Sequence, residues 1–246
     1  MRRSRWAVCV VCLCAGVPAP ALAEYKEDWN SAVLRNNNWR YFVEGAPDNG
    51  EVQMPWQATG GVGDTGHVQC PLAELTQWSA VPASTNYWPC WTKQDYHSID
   101  LGADEVIRIA IKDVTPPIGT VPGGVDLKGG TIHFWIGEWL PAPQPGDPNL
   151  MSFFIFDTEL SWGDDWTQNQ IVINEKDWTT LVDNQGKSAA QLFDNPQQWG
   201  FGILGGTGDP TGVLGFDAFE SAVPEPTAMT LLVLGSAVLI RRRRWR

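Results

Sequence analysis

Alternation of apolar and polar residues predicts a chain of short β-strands. From Val106 to Ile111, Ile107, Ile109 and Ile111 fall on one face and Arg108 on the other, the period of two that a strand imposes. Thr131 to Ile136 sets Ile132, Phe134 and Ile136 against Thr131, His133 and Trp135, and Met151 to Phe156 is apolar on both faces, as a strand between two packed layers must be. Ile171 to Ile173, Trp178 to Val182, Trp199 to Leu204 and Val213 to Glu220 complete the set. Helix is scarce, with one or two turns expected at Leu72 to Trp78 and at Lys187 to Phe193. Gly, Pro, Asn and Asp punctuate the chain about every ten residues, and the pattern as a whole predicts an all-β sandwich. Asn49 to Gly66, Pro71 to Lys93 and Thr115 to Gly130 read as long loops, a length usually reserved for binding.

The two ends break this pattern. Met1 to Ala23 has Arg2, Arg3 and Arg5, an apolar run from Trp6 to Val17, and Ala21-Leu22-Ala23 before Glu24, the layout of a secretory signal peptide. A lipoprotein signal at Cys14 is the rival reading, but Leu13 stands where a small residue is wanted. At the other end Val223-Pro224-Glu225-Pro226 precedes an uncharged run, Thr227 to Ile240, and then Arg241 to Arg244 and Arg246. As a helix that run would be about 21 Å long, short of the ~30 Å hydrocarbon core, with its arginines on the cytoplasmic side. The chain therefore divides into a signal peptide (1–23), a β-sandwich body (24–221) and a tail (222–246).

Removing the ends changes the charge. The whole chain has 17 basic and 28 acidic residues; residues 24–221 keep nine and 27, a formal charge near −18. Nucleic acid, whose phosphates need a basic surface, is excluded as a partner, and an anionic membrane surface is disfavoured. Cys70 and Cys90 are the two cysteines left after export, and in an oxidising compartment they read as one disulfide worth ~3 kcal/mol.

The tail, with its Pro-Glu-Pro, apolar run and arginines in that order, resembles the PEP-CTERM sorting signal of Gram-negative bacteria. That resemblance implies recognition and processing by an exosortase, transient contact with the inner membrane, and delivery to the cell surface or extracellular matrix. An ordinary membrane anchor is the alternative. Three phrases of the body resemble the jelly rolls of the concanavalin-A-like, laminin-type and carbohydrate-binding-module families: Asp126-Leu127-Lys128-Gly129-Gly130 leading into Thr131 to Ile136, Gly212 to Glu220, and Trp56-Gln57-Ala58-Thr59-Gly60-Gly61. This implies a jelly-roll sandwich of two antiparallel sheets. It also implies a candidate structural calcium where the first and last strands meet, at Glu27, Asp28, Asp217 and Glu220; no other cofactor is expected.

No catalytic motif stands out. A Glu-x-Asp-x-x-Glu strand, a Gly-x-Ser-x-Gly elbow, His-Glu-x-x-His and a phosphate-binding loop are all absent from the sequence, and His67, His97 and His133 are far apart. Tryptophan is the anomaly, with 14 in the chain. Trp135 and Trp178 read as core. Trp56, Trp78, Trp88, Trp91, Trp139, Trp162 and Trp166 lie in expected loops or strand ends beside Tyr87 and Tyr96, where an aromatic face could stack on a sugar ring; Trp88, Trp91, Tyr96, Trp139, Trp162 and Trp166 are the named candidates. The leading expectation is a non-catalytic carbohydrate-binding sandwich in an extracellular polysaccharide matrix. The alternatives are a structural or adhesion protein without a small ligand, and a polysaccharide hydrolase whose site the motifs miss.

Overall fold

The computed structural model describes residues 23–27, 29, 38–82, 85–93, 99, 101–102, 105–117, 123–142, 144, 147–193 and 195–222. The remainder of the signal peptide, the tail from Val223 onward with its expected helix, and the candidates Asp28 and Tyr96 lie outside the described residues. No helix among the described residues is long and apolar enough to cross a membrane.

Two antiparallel sheets face each other. The first has six strands: β10 (Thr167–Val172), β7 (Val106–Asp113), β13 (Val213–Ala222), β5 (His67–Pro71) and β4 (Trp56–Gln57) in that order, with β1 (Ala23–Glu27) also paired to β13. The second has seven: β11 (Trp178–Asp183), β9 (Leu150–Leu160), β8 (Gly130–Leu140), β12 (Gln198–Gly205), β6 (Tyr87–Lys93), β2 (Arg40–Phe42) and β3 (Glu51–Gln53). From β5 onward the chain passes back and forth between the sheets, the routing of a jelly roll.

Each strand expected from alternation is present, and β7, β8 and β9 extend beyond the expected ends. The expected helical turns are short 3₁₀ segments at Leu72–Glu74 and Ala189–Leu192. The expectation of long loops at Asn49 to Gly66 and Pro71 to Lys93 is corrected, because those stretches contain β3, β4, the last residue of β5 and all of β6. β6 is buried along nearly its whole length, which erases alternation, and Pro89 reads as a loop residue. Pro89 lies beyond the two β2–β6 pairs, on the part of β6 paired to β12 alone, where a proline is tolerated.

The core between the sheets is aromatic. Trp39, Phe201 and Phe216 form a run of near-parallel rings, with centroids 5.8 and 5.6 Å apart, and Trp199 stacks on Phe219 at 4.9 Å. Cys70 of β5 and Cys90 of β6 meet across this space with their sulfurs 3.0 Å apart, as free buried thiols.

β12 sits in the middle of the seven-stranded sheet and alternates Trp199, Phe201 and Ile203 toward the core with Gly200 and Gly202 on the opposite face. Those glycines are required by space. A Cβ on Gly200 would run into the Cys90 carbonyl, and one on Gly202 into the Tyr87 ring. Gly137 of β8 is covered in the same way by the Phe153 ring. The outer face is thereby a floor of backbone on which large rings lie. Its own buried cluster contains Val81, Tyr87, Trp91, Trp135, Phe153, Ile155 and Leu181.

Gly200→Ala should therefore destabilise the body by ~1–3 kcal/mol, because the obstacle is backbone and cannot swing away. Gly102→Ala, with nothing within 4 Å of the added carbon, is the matched control and should be nearly neutral. Urea unfolding midpoints of the two variants decide it.

Candidate functional site

The outer face of the seven-stranded sheet carries a pocket of about 270 Å³. Its lining comes from β9 (Met151, Phe153), β8 (Trp135, Trp139), β12 (Gln198), β6 (Tyr87, Pro89, Trp91), β2 (Phe42) and β3 (Glu51), with Asn49, Asn149 and the loop residues Trp78 and Ala80. From β9 to β3 is five strand spacings, about 24 Å across the sheet. The site therefore runs across the strands.

The rings hold one another in place. Trp135 donates its Nε1–H to the carbonyls of Cys90 (3.2 Å) and Phe201 (3.1 Å), so its indole bridges β6 and β12. The Phe153 ring lies 5.5 Å from Trp135 and meets Trp78 edge-on at 4.7 Å. Trp78 is brought over the sheet by a hydrogen bond from its backbone N–H to the Tyr87 carbonyl at 2.8 Å. Trp139, 36% exposed, is anchored through its backbone N–H to Gln197 Oε1.

Polar groups occupy the rim. Asn49, Asn149 and Gln198 carry amides, which both donate and accept. Glu51 is paired with Lys93 at 2.6 Å. Two lining residues hold a buried polar atom with no partner among the described residues, the Tyr87 hydroxyl and Trp91 Nε1. Burial pushes the Tyr87 pKa up, and nearby Cys90 adds to the shift, so the phenol remains a donor. A buried donor left unsatisfied costs ~1–3 kcal/mol.

The tryptophans singled out from sequence separate into distinct environments. Trp91 and Trp139 line the pocket. Trp88 does not: at 2% exposure it belongs to the core between the sheets, because it alternates with Tyr87 and Pro89 on β6 and faces the opposite way. Trp162 packs against the same core. Trp166 donates Nε1–H to the Gly60 carbonyl at 2.9 Å and stands edge-on to His67, over the six-stranded sheet. Trp135, expected in the core, is instead a buried part of the pocket wall, on the face opposite Ile132, Phe134 and Ile136. Trp78 and Tyr87, noted from sequence among the loop aromatics, also line the pocket, and the residues sequence reasoning missed, Phe42 and Phe153 among them, had one usable signal. The Trp-Gly-Phe-Gly-Ile run of β12 marks a strand with side chains on one face only.

The three described acids of the calcium set, Glu27, Asp217 and Glu220, are otherwise engaged, and Asp28 lies outside the described residues. Asp217, buried at a β13 bulge, accepts hydrogen bonds from Val62 N–H (2.5 Å), Thr65 Oγ1 (3.0 Å) and Ala218 N–H (2.6 Å), clamping the 61–65 loop. Glu220 pairs with Arg108 at 3.2 Å, and Glu27 accepts the Trp29 N–H. Among the described residues no group of three or more potential ligands is gathered to hold a metal. Glu27, Asp217 and Glu220 by themselves are not gathered into the oxygen cage calcium takes.

The segment 222–244 matches the PEP-CTERM protein-sorting motif, so the chain carries the sorting signal of an exported protein. No curated protein matches the chain. Among solved structures, the chain is similar to the CBM22-1–GH10 modules of Clostridium thermocellum endo-1,4-beta-D-xylanase 10B complexed with xylohexaose. That match has 10% identity and a TM-score of 0.41, and it covers 83% of this chain but 29% of that one. It is also similar to the family 11 carbohydrate-binding module of C. thermocellum in complex with a beta-1,3-1,4-mixed-linked tetrasaccharide, with 12% identity, a TM-score of 0.42, and 79% and 92% of the two chains covered. A third is the L4b domain of human laminin alpha-2, at 8% identity and a TM-score of 0.42, covering 81% and 98%. At such values neither ligand nor role passes from those proteins to this chain.

Because hydrogen bonds within the protein already satisfy the Asp217 carboxylate, EDTA should leave the melting temperature of the body unchanged. A fall of several degrees, reversed by added calcium, would restore a cation at this edge.

Proposed function

We propose that this exported protein binds a neutral polysaccharide without cleaving it, in the pocket on the outer face of the seven-stranded sheet. The observation that carries this reading is the wall of Trp78, Tyr87, Trp91, Trp135 and Trp139 around an open site with an amide rim. Indole and phenol faces stack on the C–H faces of a sugar ring, and amides bond its hydroxyls. Among the described lining residues there is no lysine or arginine, which favours an uncharged glycan over an acidic one. Glu51 is the one carboxylate among them, whereas glycoside hydrolysis takes two facing carboxylates; this supports binding without cleavage.

Retention on neutral β-glucan, xylan and galactomannan, with alginate as the acidic comparator, tests the reading. Ordering costs offset most of the gain from stacking, so affinity should be micromolar to millimolar, roughly −8 to −4 kcal/mol. Trp139→Ala should weaken retention about two- to tenfold, the worth of one stacked ring, with an unchanged melting curve. A wild-type protein retained by none of these polymers overturns the proposal.

The sorting half of the proposal is that an exosortase removes the tail and releases the body to the surface or matrix. Intact mass of the cell-surface form should show a chain lacking Thr227–Arg246. A surface form still ending at Arg246 would make the tail a lasting anchor.

A further inference from the structure

The Cys70–Cys90 pair lies at the root of the segment that walls the pocket. Cys70 is on the six-stranded sheet and Cys90 on the seven-stranded one, so the pair spans the core with its sulfurs 3.0 Å apart. Between them run residues 71–89, which supply Trp78, Ala80, Tyr87 and Pro89 to the pocket lining. The same root is held by the Tyr41 hydroxyl, which donates to Glu74 at 2.6 Å, and Tyr41 stands opposite Cys90 in the β2–β6 ladder. The segment thus begins and ends at one point of the core, and the pocket wall hangs from it.

We propose that Cys70 and Cys90 are oxidised to an intersheet disulfide as the chain folds after export, and that this bond holds the pocket wall in place. The functional half rests on the pocket's being the polysaccharide site. The oxidant is a disulfide-carrying protein of the exporting compartment. The thiolate of one cysteine attacks its disulfide to give a mixed disulfide; the thiolate of the other then displaces the carrier. The carrier leaves as a dithiol holding the two electrons, and the chain has lost two electrons and two protons. Both sulfurs are buried once the sheets have closed, and burial raises the Cys70 pKa, which lowers the thiolate fraction that could react. The exchange therefore belongs to the open chain. A molecule that folds reduced is sealed against later oxidation.

Alkylation of the exported protein, denatured without reductant, should label neither cysteine, and prior reduction should expose both. The Cys70→Ala/Cys90→Ala variant should melt roughly 6–12 °C lower, the shift expected for losing a cross-link of this loop length from a body of this size. Limited proteolysis should cut it within residues 71–89 faster than the wild type. Retention on the neutral polysaccharides that hold the wild type should fall about two- to tenfold, the cost of ordering a freed Trp78. Two alkylated cysteines in the unreduced exported protein overturn the proposal, as does a double variant as protease-resistant in 71–89 as the wild type. If that variant does not fold, the alkylation map decides alone. If the wild type binds no polysaccharide, the functional reading fails while the alkylation and proteolysis results still judge the cross-link.

Discussion

The fold depends on the contact between two strands, β12 of one sheet and β13 of the other. Trp199 and Phe201 point across the core at Phe219 and Phe216, and both pairs stack face to face, with interplanar angles of 28° and 14°. Trp39 adds to the same stack at 8° to Phe201. Each of these rings is almost wholly buried, and burying one contributes on the order of 1.5–3 kcal/mol. The contact also fixes which way β12 faces. With its bulky residues committed to the core, its other face has to be bare.

The pocket is a consequence of that commitment. Gly200 and Gly202 leave the centre of the sheet uncovered, and rings from the neighbouring strands lean in over them. Tyr87 comes from β6, Trp135 from β8 and, one strand further, Phe153 covers Gly137. The core and the pocket floor are therefore two faces of the same five residues, Trp199 to Ile203. A wall of rings supported by backbone is stiff, and stiffness in the free protein reduces what must be ordered when a ligand arrives.

Much of the fold was legible because most of its strands keep one wet face. β7 shows this best, with its isoleucines inward and Arg108 outward to Gln170 and Glu220. The first half was not legible for the opposite reason. β6 has one face in the core and the other under Trp78 and Trp135, so neither face needs polar residues, and Pro89 disguises what is left. The same double burial explains the candidate site. Trp88 and Trp91 lie three apart on one strand, and which of them faced the pocket depended on the strand's register, which composition does not carry. Trp139 was recognisable because it lies near the exposed end of β8, two residues before Pro141. Asn49 and Asn149 reach the rim through tertiary closure of segments a hundred residues apart, for which a single sequence holds no local sign.

Tyr25 of β1 pairs with Ser221 of β13, so the two ends of the body are neighbours. Ends this close make the sandwich a cassette: it can be spliced into a surface loop of another protein, or circularly permuted through a short linker, with little change to its interior. For a cell, the same arrangement separates address from cargo. Any domain whose entry and exit share one corner could take this body's place between the two terminal segments, and the rest of the surface would be left free to diversify.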